Sequence, residues 1–328
     1  MTATAARART GSDLLRRWEA FLASGGAVWI LVLAIVVLAA IVSEDFRTVR
    51  NLANVSRQGV VLGLVALGQF VAVLTGGVDL SVGMIVRLTA IAAAVGVGGL
   101  DDRTLPAVLI ALMLGMLVGL SNGLVITWLR VPPFIATFGA LAILQGLLLL
   151  VASTPQGRTG PILYDLWAAQ AGPLHWVVLF AIGLYLAVHL ALTRTVWGRH
   201  VYAVGGDERI AAHSGVNVRR VKRSAYILSG LLAAIAGVIT AARAGVGDPN
   251  AGFGLEFESL AAVVIGGASL AGGRGRVIGV LGGVVLFTVM GNVFNLVGID
   301  VWYQQLLQGT LILIGAAAYV ARDERSHA

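Results

Sequence analysis

Apolar runs long enough to cross a bilayer recur along almost the whole 328-residue chain, and they leave little room for any other architecture. About ten can be read, near 25–43, 58–75, 80–100, 105–128, 133–153, 174–192, 224–243, 259–271, 277–297 and 303–320. A straight helix needs roughly twenty residues, at about 1.5 Å each, to traverse the hydrocarbon layer. The 259–271 run is shorter than that, so it is expected to be a half-helix or to begin earlier. With 58% hydrophobic and 12% charged residues, the chain has too little polar surface to enclose a water-soluble core. The expected fold is all-α and polytopic.

The basic residues indicate how the runs thread. With the N-terminal segment in the cytoplasm, alternate connections collect most of the 23 Lys and Arg on that side. These are Arg7, Arg9, Arg16, Arg17, Arg130, the cluster from Arg194 to Arg223, Arg274, Arg276, Arg322 and Arg325. One crossing more or fewer would move either that cluster or the C-terminal pair across the membrane. Both termini are therefore expected in the cytoplasm, with 1–23 a tail, 24–321 a single membrane domain and 322–328 a second tail. The basic start followed by an apolar run from Ala27 to Val42 also has the outline of a secretory signal. The run is long for that role and many equally apolar runs follow, so a retained first span is expected. The net charge of +7 is placed as orientation charge, and no nucleic-acid partner is expected.

Chemistry is hard to assemble from what remains. There is no cysteine, which removes disulfides, thiolate metal sites and thiol nucleophiles. His175, His189, His200, His213 and His327 show no spacing that sets two metal ligands on one helical face. The one lysine, Lys222, is followed by Arg223, so a phosphate-cradling Gly-Lys-Ser/Thr loop is excluded. No catalytic, metal or cofactor site is expected, and any ATP hydrolysis belongs to another chain.

Four features stand out. Gly76-Gly77-Val78-Asp79-Leu80-Ser81-Val82-Gly83 and Gly266-Gly267-Ala268-Ser269-Leu270-Ala271-Gly272-Gly273 share a Gly-Gly-x-x-Leu-x-x-Gly pattern. Paired glycine interruptions can mark gates or hinges of broken helices, although 43 glycines make coincidence easy and glycine also serves close helix packing. The longest internal polar stretch, 193–223, contains Asp207, Glu208, Arg209, Ile210, Ala211, Ala212, His213, Ser214 and Gly215, which read as a short helix capped by Asp207 and stopped by Gly215. It is either a helix seated in a partner's groove or an ordinary loop. Gln69, Asn122, Asn292 and Asn295 interrupt apolar runs, where amides either line a path for a neutral polyhydroxy solute or hydrogen-bond between helices. Two charges enter the membrane: Asp79 is expected to cap the third helix, and Arg87 to snorkel back to the cytoplasmic surface. Trp302 and Tyr303 read as interfacial belt residues.

The chain resembles the ribose-type permease subunits of bacterial ATP-binding-cassette importers. The resemblance covers about 46–320 and rests on several segments in order. They are Leu74-Thr75-Gly76-Gly77-Val78-Asp79-Leu80-Ser81-Val82-Gly83, Asn122-Gly123, and Pro133-Phe134-Ile135-Ala136-Thr137. Then come Gly198-Arg199-His200-Val201-Tyr202-Ala203-Val204-Gly205-Gly206, Ser214-Gly215-Val216-Asn217-Val218, and AAVVIGGASLAGGRG at 261–275. The resemblance implies a type II-like importer permease with broken or short helices in the bacterial cytoplasmic (inner) membrane. It also implies partners: ABC ATPase subunits, a periplasmic or lipid-anchored sugar-binding protein, and a second permease copy or a related permease, all within membrane lipid. On this resemblance 207–215 becomes the ATPase-coupling helix, and Arg for Ala211 or Pro for Ile210 is expected to abolish uptake. Arg87 departs from the small or apolar residue expected after Asp79-Leu80-Ser81-Val82-Gly83. The rivals are an ion-coupled secondary transporter, disfavoured by the scarcity of buried titratable residues, an intramembrane enzyme, and a branched-chain amino acid permease of the same superfamily.

Overall fold

The structure is a computed structural model that describes residues 26–300, 302–304, 306, 307, 309 and 310. The N-terminal tail, most of the 303–320 run and the C-terminal tail lie outside the described residues.

Helices begin and end where the local chemistry allows. After α1 (Ala27–Val42), the Thr48 hydroxyl accepts the Asn51 N–H and starts α2 (Val49–Leu74). Next come α3 (Val82–Val97), closed by Gly98 in the left-handed region, and α4 (Thr104–Trp128). Pro133 opens α5 (Pro133–Val151) in its first turn, where a missing N–H costs nothing. A surface excursion follows, with α6 (Pro161–Ala168) and a two-stranded antiparallel ladder pairing β1 (Gln170–Ala171) with β2 (Leu174–His175). Then come α7 (Trp176–Arg194), α8 (Val196–Gly206), α9 (Glu208–His213) and α10 (Val218–Ala244), the last capped by Asn217 and stopped by left-handed Gly245. The described core closes with α11 (Leu255–Ile265) and α12 (Val277–Val297).

Among the described residues, six helices, α2, α4 with its leading turn, α5, α7, α10 and α12, are long and apolar enough to cross a membrane. The chain is thus a polytopic all-α protein. Length alone does not carry the remaining crossings of the ten expected: α1 and α3 have 16 residues each and α11 has 11. The half-helix expected near 259–271 is α11, which begins and ends several residues earlier. The helix expected at 58–75 begins at Val49.

At the centre, α10 packs against α2, α3 and α4. Its contact with α4 is made through backbone. Gly115, Gly119 and Gly123 recur every four residues on one face of α4, and a Cβ on them would fall 2.5 Å from Gly230 O, 2.2 Å from Tyr226 O and 2.9 Å from Arg223 Cα. By contrast α5 exposes Phe134, Ile135, Ile143, Leu147 and Leu150, as expected of a helix facing lipid.

The connections sort to two ends. At one, Gly273 N–H donates to Leu74 O at 3.0 Å, joining the segments after α2, α8 and α11. At the other, Gly99 N–H donates to Arg158 O, Thr159 N–H to Gly245 O, and Gln156 pairs with Gly247, joining the segments after α3, α5 and α10.

Candidate functional site

The polar stretch after α7 folds as a helix–cap–helix unit. Asp207 ends α8 and caps α9, its Oδ1 accepting the Ile210 N–H at 2.8 Å. Gly215, at φ 83°, stops α9; Val216 N–H donates to Ala211 O, and the Ser214 hydroxyl donates to Ile210 O. Glu208 pairs with Lys222 of α10. Ala211 is turned inward at 3% exposure, whereas Ile210 stands out at 67%. Beside α9 lies a polar hollow of about 420 Å³ bordered by Thr75, Gly76, Gly205, Gly206 and Ala271. A second hollow, of about 870 Å³ and mainly apolar, is bordered by Ile126, Pro133 and Val218 as well as Arg130, Arg209 and Arg219.

Gly76 of the first motif and Gly272 and Gly273 of the second meet beside α9. A Cβ on Gly205 would sit 1.8 Å from Leu74 O and 2.4 Å from Gly273 N. One on Gly272 would sit 2.8 Å from both Gly205 O and Gly76 N, and one on Gly273 2.6 Å from Gly206 N. The end of α2, the end of α8 and the 271–273 turn therefore touch backbone to backbone, and Tyr202 adds a hydroxyl donated to Gly275 O. The motifs agree only in part as structures. Both helices end with the same pair of hydrogen bonds, Gly76 N–H to Val73 O with Gly77 N–H to Ala72 O, and Gly267 N–H to Val264 O with Ala268 N–H to Val263 O. This match is one residue out of register with the sequence pattern. After it, Gly83 enters α3, while Gly272 and Gly273 lie in a left-handed turn. Gly266 instead abuts Gly279 O of α12.

Asp79 sits in the interruption between α2 and α3, fully buried. Its Oδ1 accepts the Ser81 N–H at 3.1 Å and the Ser81 hydroxyl at 2.6 Å, and its Oδ2 accepts the Ser229 hydroxyl of α10 at 2.9 Å. Ser81 Oγ in turn accepts from Asn122 Nδ2 of α4 at 2.8 Å. Thr137 of α5 and Tyr226 of α10 donate to the adjacent Val78 O. Against expectation, Asp79 does not cap α3, whose N-cap is Ser81 without a side-chain cap bond; its carboxylate instead ties the interruption to α10 through Ser229 and, by way of Ser81, to α4. Thr137 closes one of the segments that carry the resemblance, whereas Ser229 and Tyr226 were not singled out in the sequence; their one signal was a hydroxyl in an apolar run.

The four amides do not converge. Asn122 belongs to the Asp79 cluster, and Gln69 is buried with both amide atoms unpartnered. Asn292 exchanges reciprocal 3.0 Å hydrogen bonds with Asn51 at the far end of α2, and Asn295 accepts from Gln304. Arg87 does not snorkel to the surface: it is 6% exposed, held between α3 and the segment that leads into α11.

Short, interrupted helices enclosed by long apolar ones, with a capped helix at one end, define a polytopic helical membrane protein. The chain belongs to the family described as branched-chain amino acid transport system / permease component, which it matches over residues 51–316. It is similar to the ribose import permease protein of Escherichia coli K12, 37% identical over 294 residues that cover 86% of this chain and 90% of that one. The ribose import permease protein of Bacillus subtilis is 37% identical, with 85% and 88% covered. The galactose/methyl galactoside import permease protein of Escherichia coli K12 is 33% identical, with 90% and 94% covered. No solved structure matches the chain.

Proposed function

We propose that this chain is the membrane permease subunit of an ATP-driven importer for a monosaccharide or related polyol, working with a second permease, separate ATPase subunits and a solute-binding protein. It lies in the bacterial cytoplasmic membrane with both termini and α9 on the cytoplasmic side, and it performs no bond chemistry itself. The named activities of the similar permeases favour sugars over the amino acids named in the family description.

The observation that carries the coupling role is the backbone junction of Gly205 with Leu74 and Gly273. A push on α9 from an ATPase passes through Asp207 into α8. With no side chains to yield at the junction, it reaches the interruption at 76–81 and the turn at 266–273 together. Alternating access then follows from a shift of these two interruptions, with Gly76, Gly77, Gly272 and Gly273 as hinges. Exposed Ile210 on α9 is the contact an ATPase groove would cover.

The test is uptake into proteoliposomes containing the chain, its ATPase and its binding protein. ATP-dependent uptake of radiolabelled D-ribose, D-allose or D-galactose is expected. Uptake that ignores ATP and follows the proton gradient would instead identify a secondary transporter, and uptake of leucine alone an amino acid permease.

A further inference from the structure

Arg87 and Glu256 are buried charges that the coupling scheme leaves idle. They are 6% and 7% exposed, on α3 and at the start of α11. A Cβ on Gly83 would lie 2.0 Å from Glu256 Oε2, so that carboxylate oxygen rests on the bare backbone of α3. Arg87 projects one turn further along the same helix face. Its guanidinium carbon is 5.1 Å from the centroid of the Phe253 ring, and Phe253 is 72% exposed. Buried as they are, Arg87 Nε and Glu256 Oε2 have no hydrogen-bond partner, and the two opposite charges, near enough to act on each other, form no close ion pair. An ionisable side chain within a membrane protein faces a polar cavity or a partner, since hydrocarbon would penalise it heavily.

The chemistry of the unmet atoms selects what could meet them. An anion would be opposed by Glu256 and a cation by Arg87, and an apolar molecule would leave both atoms bare. A neutral molecule with adjacent hydroxyls satisfies both: one hydroxyl donates to Glu256 Oε2, a neighbouring oxygen accepts from Arg87 Nε, and its C–H face lies on Phe253. We propose that Arg87, Glu256 and Phe253 form a solute-contact station in the membrane pathway that takes a neutral polyhydroxylated molecule. This rests on the import reading and names residues that act on the solute within it. Gly83 is then required because any side chain there would displace the carboxylate.

The experiment uses the proteoliposomes above, with uptake of the same three sugars and ATP hydrolysis read in parallel. Absence of ATP-driven uptake by the unaltered chain overturns the import reading and the station with it. Where uptake is present, Arg87→Met and Glu256→Gln are each expected to cut it by about tenfold, the scale of one lost hydrogen bond to a charged group. Hydrolysis stimulated by the loaded binding protein should persist. Arg87→Lys, which keeps a cation while removing Nε, should behave as Arg87→Met does. Uptake and hydrolysis falling together, or a double variant Arg87→Met with Glu256→Gln that regains full uptake, overturns the station alone, because the charges then serve the fold or each other.

Discussion

Two buried polar sites flank the start of α3, one at Asp79 in the interruption before it and one at Arg87 in its second turn, and they are built in opposite ways. Around Asp79, hydroxyls from Ser81 and Ser229 meet both carboxyl oxygens, and Asn122 completes the chain of donors. At Arg87 and Glu256, one atom of each, Nε and Oε2, is equally withdrawn from water and has no hydrogen-bond partner. The same fold that recruits a donor from α10 for one carboxyl, and one from α4 for the Ser81 that serves it, leaves Glu256 Oε2 without any. A satisfied cluster holds a structure together, whereas an unsatisfied one costs free energy unless something outside the chain completes it. The difference separates a joint from a station, and it predicts that substitutions in the first are read as stability and in the second as transport.

The largest effect is expected at the joint. Asp79→Leu removes the acceptor for two buried hydroxyls, at about 1–3 kcal/mol for each group left unmet, and frees the interruption from α4 and α10. Little folded protein should be recovered from membranes, with a sharply lowered unfolding temperature in detergent. Asp79→Asn keeps one acceptor oxygen and should lie between. A Leu variant as stable as the unaltered chain would mean that the cluster holds nothing.

Next is the junction that links this joint to α9. Gly205→Ala drives a methyl to within 1.8 Å of Leu74 O, while Gly206→Ala meets open space. The first should lose ATP-driven uptake almost entirely, and the second should keep it. Equal behaviour of the pair would remove the junction as the transmitting contact.

A third effect separates coupling from folding on α9. Ile210 is the exposed apolar residue, so Ile210→Asp should abolish ATPase stimulation, with an unfolding temperature close to that of the unaltered chain. Ala211 is buried against this chain, so Ala211→Arg, expected from sequence to break only coupling, should destabilise the α9 region as well. Insertion with normal stability by an Ala211→Arg chain would reverse that assignment.

What could be read in advance follows from which signals are local. Apolar runs and their flanking arginines placed the long helices, and the 277–297 run coincides with α12 because Arg276 and Gly298 bound it on both sides. Asp207 and Gly215 announced α9 because caps are chosen within a few residues. The starts of α2 and α10 were missed because Arg50, Arg57, Arg219 and Arg223 interrupt hydropathy without interrupting the helix. The junction, the Ser229 contact and the place of Glu256 join residues far apart in the chain, and no local pattern encodes them. Arg87 was legible as an oddity, yet its burial depends on a segment that enters between α10 and α11.

The smallest expected effect tests the comparison most directly. Ser229→Ala removes one hydrogen bond to Asp79 Oδ2, and interhelical hydrogen bonds within membranes average about 0.6 kcal/mol with a maximum near 1.7. The unfolding temperature should fall by a few degrees at most, with sugar uptake unchanged once matched for protein amount. Glu256→Gln is the mirror case: it exchanges an unmet charge for a neutral amide, so the unfolding temperature should hold or rise while uptake falls. If Ser229→Ala cost transport without stability, or Glu256→Gln cost stability without transport, the two sites would have exchanged roles, and Asp79 would be the residue that meets the solute.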